Sequence, residues 1–75
     1  MPKLPRISSK KAVKALKRLG FEPVRQTGSH VVMKKETAEG KVGCVVPLHN
    51  ELKVGTLASI LKQAKVTVEE FTDSL

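Results

Sequence analysis

The spacing of the apolar residues changes twice along this chain, and that change limits the possible folds more than any other feature. From Ser8 to Gly20 the apolar residues recur at helical intervals, at Ala12, Val13, Leu16 and Leu19. From Phe21 the pattern becomes that of three β-rich runs, at 21–26, 30–35 and 41–47. After a loop from Pro47 to Gly55 the helical spacing returns. The order of elements is therefore helix, three strands, helix.

The ends of the helices are marked by particular residues. Ser8 and Ser9 are typical N-caps, and Gly20 is suited to the left-handed conformation that ends a helix. A second helix is predicted over 56–65, with an apolar stripe at Leu57, Ile60, Leu61 and Ala64. Thr67 and Glu70 have the spacing of a capping box ahead of Phe71. We therefore expect a short third helix that contributes Phe71 to the core.

The alternation within the runs predicts which side of the sheet is buried. Val31 and Met33 share one side of the second run, and Val42, Cys44 and Val46 share one side of the third. The opposite side of the second run carries His30, Val32 and Lys34. Pro23 lacks an N–H donor, so the first run belongs at an edge or over a bulge. We expect an α+β fold of one domain, 1–75, in which a three-stranded antiparallel sheet carries helices on one face.

The size of the chain excludes several classes of protein. With 75 residues there is little room for a cofactor cavity beside the core, so no cofactor is expected. Cys44 is the single cysteine and is expected to be a small buried apolar residue. No apolar run approaches the length of about 18 residues that spans a bilayer, and the first six residues do not resemble a secretory signal. We expect a cytoplasmic protein without a membrane partner.

Positive charge is concentrated in the first helix. The chain has 14 Lys and Arg against 7 Asp and Glu, a net charge of +7. Five basic residues fall within one arc of about 120° on this helix, opposite its apolar residues: Lys10, Lys11, Lys14, Lys17 and Arg18. Such a face attracts a polyanion, most often a nucleic-acid backbone, although surplus lysine also serves solubility. RNA is the expected partner of these five residues.

The sequence lacks the residues that most kinds of nuclease and hydrolase chemistry need. The acidic residues are few and fall in turns or near the tail, which argues against a metal nuclease. His30, Cys44 and His49 match no structural zinc pattern. A Ser-His-Asp hydrolase needs a triad in a pocket and an oxyanion hole, and adjacent Ser29 and His30 on a strand are not expected to face one another. No metal site is therefore expected.

Cleavage of RNA by its own 2′-hydroxyl remains feasible, because it needs a base and positive donors but no protein nucleophile. His30 is the candidate for the proton transfer, since it follows Gly28 and Ser29 at the mouth of a strand and shares a side with Lys34. Ser29 and Lys34 are candidate phosphate contacts. His49, in a loop ahead of a helix, is a second candidate. For both histidines the alternative is an ordinary surface or hydrogen-bonded side chain.

The way in which RNA would be recognised follows from the shortage of aromatic residues. Phe21 and Phe71 are the two aromatic residues, and both are expected in the core, which leaves no platform for stacking unpaired bases. The remaining way to recognise RNA is through its phosphate backbone and its shape. Double-stranded-RNA-binding domains do this, and they have the same α-β-β-β-α order.

Several blocks of this sequence resemble the HicA toxin family. They are Leu19-Gly20-Phe21, Gly28-Ser29-His30, Pro47-Leu48-His49, Glu51-Leu52-Lys53, Gly55-Thr56-Leu57, Ile60-Leu61, Gln63-Ala64 and Glu70-Phe71. The resemblance implies a fold similar to the double-stranded-RNA-binding domain, a metal-independent ribonuclease toxin that cleaves mRNA, and neutralisation by a HicB-like antitoxin. It also implies that His30 is the catalytic histidine.

The chain departs from that family pattern at two positions, and both concern the second helix. Val54 stands where the family often has proline, and Lys65 stands where a glycine often ends the helix. These departures make the ends of the helix uncertain.

Two other classes of function stay open on the sequence alone. The segment from Thr56 to Phe71 is compatible with a helix-turn-helix DNA-binding module, although three strand-like runs occupy the centre of the chain. A basic interaction protein without catalysis is the other alternative.

Overall fold

Three helices and three strands follow one another in the order α-β-β-β-α-α, as the sequence predicts. The computed structural model describes residues 4–75. Its elements are α1 (Ser9–Arg18), β1 (Glu22–Thr27), β2 (His30–Thr37), β3 (Gly40–Pro47), α2 (Val54–Ala64) and α3 (Val68–Asp73). The three strands at the centre of the chain are incompatible with an all-helical DNA-binding module.

Both ends of α1 are formed by the residues expected. The Ser8 hydroxyl accepts a hydrogen bond from the Lys11 N–H at 3.2 Å, which caps the first turn. At the other end Gly20 adopts a φ of 100°, and the Phe21 N–H donates back to the Leu16 carbonyl at 2.9 Å. This reverse hydrogen bond is the mark of a Schellman motif. It turns the chain sharply from α1 into β1.

The sheet is antiparallel in the order β1-β2-β3, with helices on one face. In its register Val31 lies opposite Val46 and Met33 opposite Cys44. All four side chains are buried, and they form one core with the apolar sides of α1 and α2. The predicted fold class and the predicted buried side of the sheet are therefore confirmed.

Strand β1 is at an edge and is irregular, as Pro23 indicated. Its pairing with β2 slips between Pro23 and Arg25, so Val24 is bulged out and is 54% exposed. Before the bulge Pro23 lies opposite Met33, and after it Arg25 lies opposite Val32. A bulge adds one residue to the strand, which moves the residues after it to the other side of the sheet. Arg25 thus lies on the side away from the helices.

Helix α2 begins two residues earlier than predicted and ends one residue earlier. Lys53 is its N-cap, with extended backbone (φ −67°, ψ 146°) and no hydrogen bond from its side chain to the helix. At the end Lys65 adopts the left-handed conformation (φ 57°, ψ 39°), and the Val66 N–H donates to the Leu61 carbonyl. The turn is again of Schellman type, with lysine where glycine is usual. Lys65 therefore ends the helix without glycine's conformational freedom.

Helix α3 is held by the predicted capping box. The Glu70 N–H donates to the Thr67 hydroxyl, and the Glu70 carboxylate accepts from the Thr67 N–H, each at 3.1 Å. These hydrogen bonds to Thr67, from its backbone first and its side chain second, lower the pKa of Glu70 below its ordinary value. Phe71 is fully buried, which confirms its place in the core.

Cys44 is buried in the core and is not reactive there. Burial raises the pKa of Cys44 to about 11, so the thiol stays protonated, as expected of a buried apolar cysteine.

Of the helices within residues 4–75, none has both the length and the apolar character needed to cross a bilayer. The expectation about a signal concerns the first six residues, of which 1–3 lie outside the described residues.

Candidate functional site

A tight turn places His30 at the first position of β2. Gly28 and Ser29 connect β1 to β2, and Gly28 has a φ of 50° while Ser29 does not have a positive φ. A positive φ at the first central residue alone is the pattern of a type II′ turn, which matches the twist of a hairpin. His30 is exposed and pairs with Thr27 on β1 and with Pro47 on β3. Its backbone is thus held between two strands while its imidazole faces solvent.

Ser29 contacts the imidazole directly. The Ser29 Oγ and His30 Nδ1 are 3.3 Å apart, a distance that allows either atom to donate to the other. The Ser29 carbonyl accepts a hydrogen bond from the Leu48 N–H at 2.6 Å, which fixes the turn to the end of β3. Ser29 and His30, which were not expected from the sequence to be in contact, therefore touch one another on a well-anchored turn.

The sheet face away from the helices, which we call the open face, carries His30 and its neighbours. The register places ten side chains on it: Glu22, Arg25, Thr27, His30, Val32, Lys34, Glu36, Lys41, Val45 and Pro47. Lys34 is exposed and lies four residues from His30, about 13 Å along the strand. At that separation the two side chains are suited to two different phosphates of one strand rather than to a single phosphate.

Arg25 was missed by the sequence analysis. Simple alternation from Pro23 would place its side chain on the helix side of the sheet, and the bulge at Val24 reverses this. A proline early in an edge strand is a signal for a bulge, but it does not give the residue at which the bulge occurs. The open face therefore has one more cation than the sequence indicated.

A buried serine holds the second histidine. The Ser9 hydroxyl donates to the His49 carbonyl at 3.0 Å and accepts from the His49 N–H at 3.1 Å. The Ser9 N–H also donates to the same carbonyl at 3.1 Å. Ser9 is 6% exposed, whereas His49 is exposed. The backbone of His49 is thus fixed to the start of α1, and its imidazole projects from a rigid support.

These contacts bring several segments to one end of the sheet, which we call the histidine end. It consists of the turn 27–30, the loop 47–53 and the first turns of α1 and α2. Besides the bonds at Ser9 and Ser29, the Leu52 N–H donates to the Ile7 carbonyl at 2.8 Å. Both histidines belong to this end, although they are 19 residues apart in the chain.

The basic residues of α1 are exposed as predicted, but they differ in their distance from the histidine end. Lys10 and Lys11 directly follow Ser9 and lie at this end. Arg18 lies about 12 Å farther along the helix axis. Its guanidinium donates to the Ser74 carbonyl at 2.8 Å, so it also joins α1 to the end of α3. The outer side of α1 and the open face point away from each other, because α1 packs against the opposite side of the sheet.

The loop after β3 forms a shallow depression with the start of α2. It is lined by His49, Asn50, Glu51, Leu52, Lys53 and Thr56. Because α2 has no side-chain cap and no acidic residue in its first turn, its first N–H groups are available to an anion here.

Within residues 4–75, no three His, Cys, Asp or Glu side chains lie close enough together to hold a metal ion.

The order of elements defines a small α+β domain arranged like a double-stranded-RNA-binding domain, and the exposed His30 follows its glycine turn. The sequence model described as HicA toxin of bacterial toxin-antitoxin matches residues 9–66, most of the chain. The protein belongs to the HicA toxin family, and the family implies a cognate antitoxin partner. A search of curated proteins gives no match.

Proposed function

We propose that this protein is a metal-independent endoribonuclease that cleaves mRNA and is neutralised by a HicB-like antitoxin. The observation that carries the proposal is the placement of His30, whose backbone is paired on both sides while its imidazole is exposed on the open face. Family membership supports the toxin role. The site of action would be the cytoplasm, where mRNA is present.

In this mechanism His30 is the general base. When Nδ1 carries the proton and donates to the Ser29 Oγ, Nε2 keeps its lone pair and can accept the proton of a ribose 2′-hydroxyl. The 2′-oxygen then attacks the adjacent phosphorus, and the bond to the 5′-oxygen breaks. The products are a 2′,3′-cyclic phosphate and a 5′-hydroxyl. DNA, which lacks the 2′-hydroxyl, is not cleaved.

Nearby cations would stabilise the negative charge that develops on the phosphorane. Lys10 and Lys11 lie at the histidine end, and Arg25 lies on the open face opposite Val32, two residues from His30. Lys34, about 13 Å along the strand from His30, would contact a neighbouring phosphate. The favourable energy comes from charges already in place where the substrate becomes more negative. Ser29 serves mainly to orient the imidazole, and it can also contact a phosphate.

The remaining residues of the basic helix would bind RNA farther from the reaction. Lys14, Lys17 and Arg18 point away from the open face, so they can contact phosphates of a strand or duplex that passes over the histidine end onto α1. Such contacts raise affinity without selecting a base sequence. Lys14, Lys17 and Arg18 thus form an RNA-binding side that extends away from the catalytic centre.

The HicB-like antitoxin would act by covering the same surfaces. A partner bound over the histidine end prevents RNA from reaching His30, and acidic side chains on that partner would match the charge of α1. A basic protein that binds such a partner but has no catalysis is the competing function. Only an activity measurement separates the two.

The decisive experiment compares cleavage of a defined mRNA by wild type, His30→Ala and Gln26→Ala in the presence of EDTA. Gln26 is the matched control, because it is exposed on the adjacent strand and lies opposite Val31, on the helix side of the sheet. We expect wild type and Gln26→Ala to cleave RNA and spare DNA, and His30→Ala to lose roughly 10²- to 10⁴-fold in rate while folding normally. Undiminished cleavage by His30→Ala would show that His30 is not the base.

A further inference from the structure

Two exposed histidines occupy one end of the sheet, and the proposed function uses one of them. His30 lies directly opposite Pro47 in the register of β2 and β3, and His49 follows two residues later. Paired Cα atoms are about 5 Å apart, and two residues span at most about 7 Å, so the two histidine Cα atoms lie within about 12 Å. The two histidines are therefore close enough along the backbone for one phosphodiester linkage to lie between their side chains.

The backbone of His49 is fixed more firmly than a residue in an exposed loop requires. Three hydrogen bonds join it to Ser9, and the hydroxyl that makes two of them is buried. Among residues 4–75 no side chain or backbone group hydrogen-bonds the His49 ring. The buried Ser9 hydroxyl therefore fixes the His49 backbone and leaves the His49 ring without a partner in the protein. This arrangement suits an imidazole whose partner is a substrate.

The chemistry of the proposed cleavage needs a second proton transfer. When the bond between phosphorus and the 5′-oxygen breaks, the departing alkoxide is strongly basic and must gain a proton. His30, which removes the proton from the 2′-hydroxyl, cannot supply that proton at the same moment. Histidine is the side chain best suited to donate a proton near neutral pH, because its charge changes between pH 5 and 8.

We propose that His49 is the general acid of the reaction, an inference that rests on the proposed ribonuclease function. The proton of the 2′-hydroxyl passes to His30, the 2′-oxygen forms its bond to phosphorus, the bond from phosphorus to the 5′-oxygen breaks, and the His49 imidazolium protonates the 5′-oxygen.

A substrate with a better leaving group tests this role. Replacing the bridging 5′-oxygen at the cleavage site by sulfur gives a thiolate leaving group, which departs without a proton donor. On ordinary RNA we expect His49→Ala to be slower than wild type by roughly 10²- to 10⁴-fold. On the 5′-thio substrate the same variant is expected to be within roughly threefold of wild type, whereas His30→Ala stays slow on both.

Two controls keep the result specific. Gln26→Ala changes an exposed polar residue outside the depression, and it should behave as wild type on both substrates. Circular dichroism melting of His49→Ala should match wild type, because the bonds to Ser9 use the backbone of His49 rather than its ring.

The outcomes separate this inference from the function on which it rests. Wild-type rates for His49→Ala on ordinary RNA would overturn the assignment of His49 while leaving the nuclease intact. An equal loss on both substrates would also overturn it, since it would mean a role in binding or structure. If the wild-type protein cleaves neither substrate, the proposed function itself is wrong.

Discussion

Lys65 ends α2 in a left-handed conformation, and replacing it by glycine is expected to stabilise the protein. A residue with a Cβ is destabilised by about 1–2 kcal/mol in this region of φ and ψ, whereas glycine is not. Glycine loses about 0.5–1 kcal/mol more backbone entropy on folding. Because Lys65 has φ 57° and ψ 39° and its side chain is exposed, little else changes. Lys65→Gly should therefore raise the free energy of unfolding by about 0.5–1 kcal/mol.

The measurement is thermal and urea unfolding followed by circular dichroism. For a domain of this size, that gain corresponds to a rise in Tm of about 2–8 °C. Lys62→Gly is the matched control, because Lys62 is an exposed lysine in the last turn of the same helix with ordinary helical backbone. It should lose about 0.5–1 kcal/mol. Lys65→Ala removes the same charge and keeps the strain, so it should gain nothing.

The signs of the two changes in the free energy of unfolding show whether the left-handed backbone at Lys65 is destabilising. Stabilisation by Lys65→Gly, together with destabilisation by Lys62→Gly, is the pattern that backbone conformation predicts. A Lys65→Gly protein no more stable than wild type would refute the reasoning, provided that Lys62→Gly shows its expected loss.

Three further changes test other parts of the structure. Val54→Pro should raise the free energy of unfolding by about 0.4–1 kcal/mol in urea titrations, because Val54 is the first residue of α2 and Lys53 before it is already extended; a loss would show that the Val54 N–H is needed. Ser9→Ala should lower the same free energy by about 1–2 kcal/mol, since the His49 N–H loses its acceptor; an unchanged value would mean that water replaces the hydroxyl. The pKa of Glu70 is lower in the folded protein, so its stabilising effect is present above its ordinary value of 4.5 and is lost as the pH falls through the lower, folded value. Glu70→Gln should therefore flatten the fall in Tm as the pH drops below 4.5, and an equal fall in the variant would contradict this.

Local signals in the sequence were sufficient for most of the fold. Ser8, Gly20 and the pair Thr67 and Glu70 each act within one or two turns of the chain, so their effects are visible without tertiary structure. The buried side of the sheet followed from alternation alone, because β2 and β3 are regular along their paired length.

The parts of the site that were not predicted depend on contacts between distant residues. Ser9 and His49 are 40 residues apart, and nothing local distinguishes the serine that holds this loop from a second capping serine. Arg25 reaches the open face because the bulge falls at Val24, and its position is set by pairing with β2. The start of α2 at Val54 lacks a capping side chain, so the usual signal for a helix beginning was absent.

The two outer strands of the sheet also affect how another chain can attach to this domain. A free strand edge invites addition of a strand from a second molecule. On β1 this is opposed by Pro23 and the adjacent irregularity, and on β3 the Val45 N–H already donates to the Gln63 side chain at 3.3 Å. Aggregation by edge-to-edge pairing is thereby discouraged, and an inhibitor protein gains more by covering faces and loops than by extending the sheet.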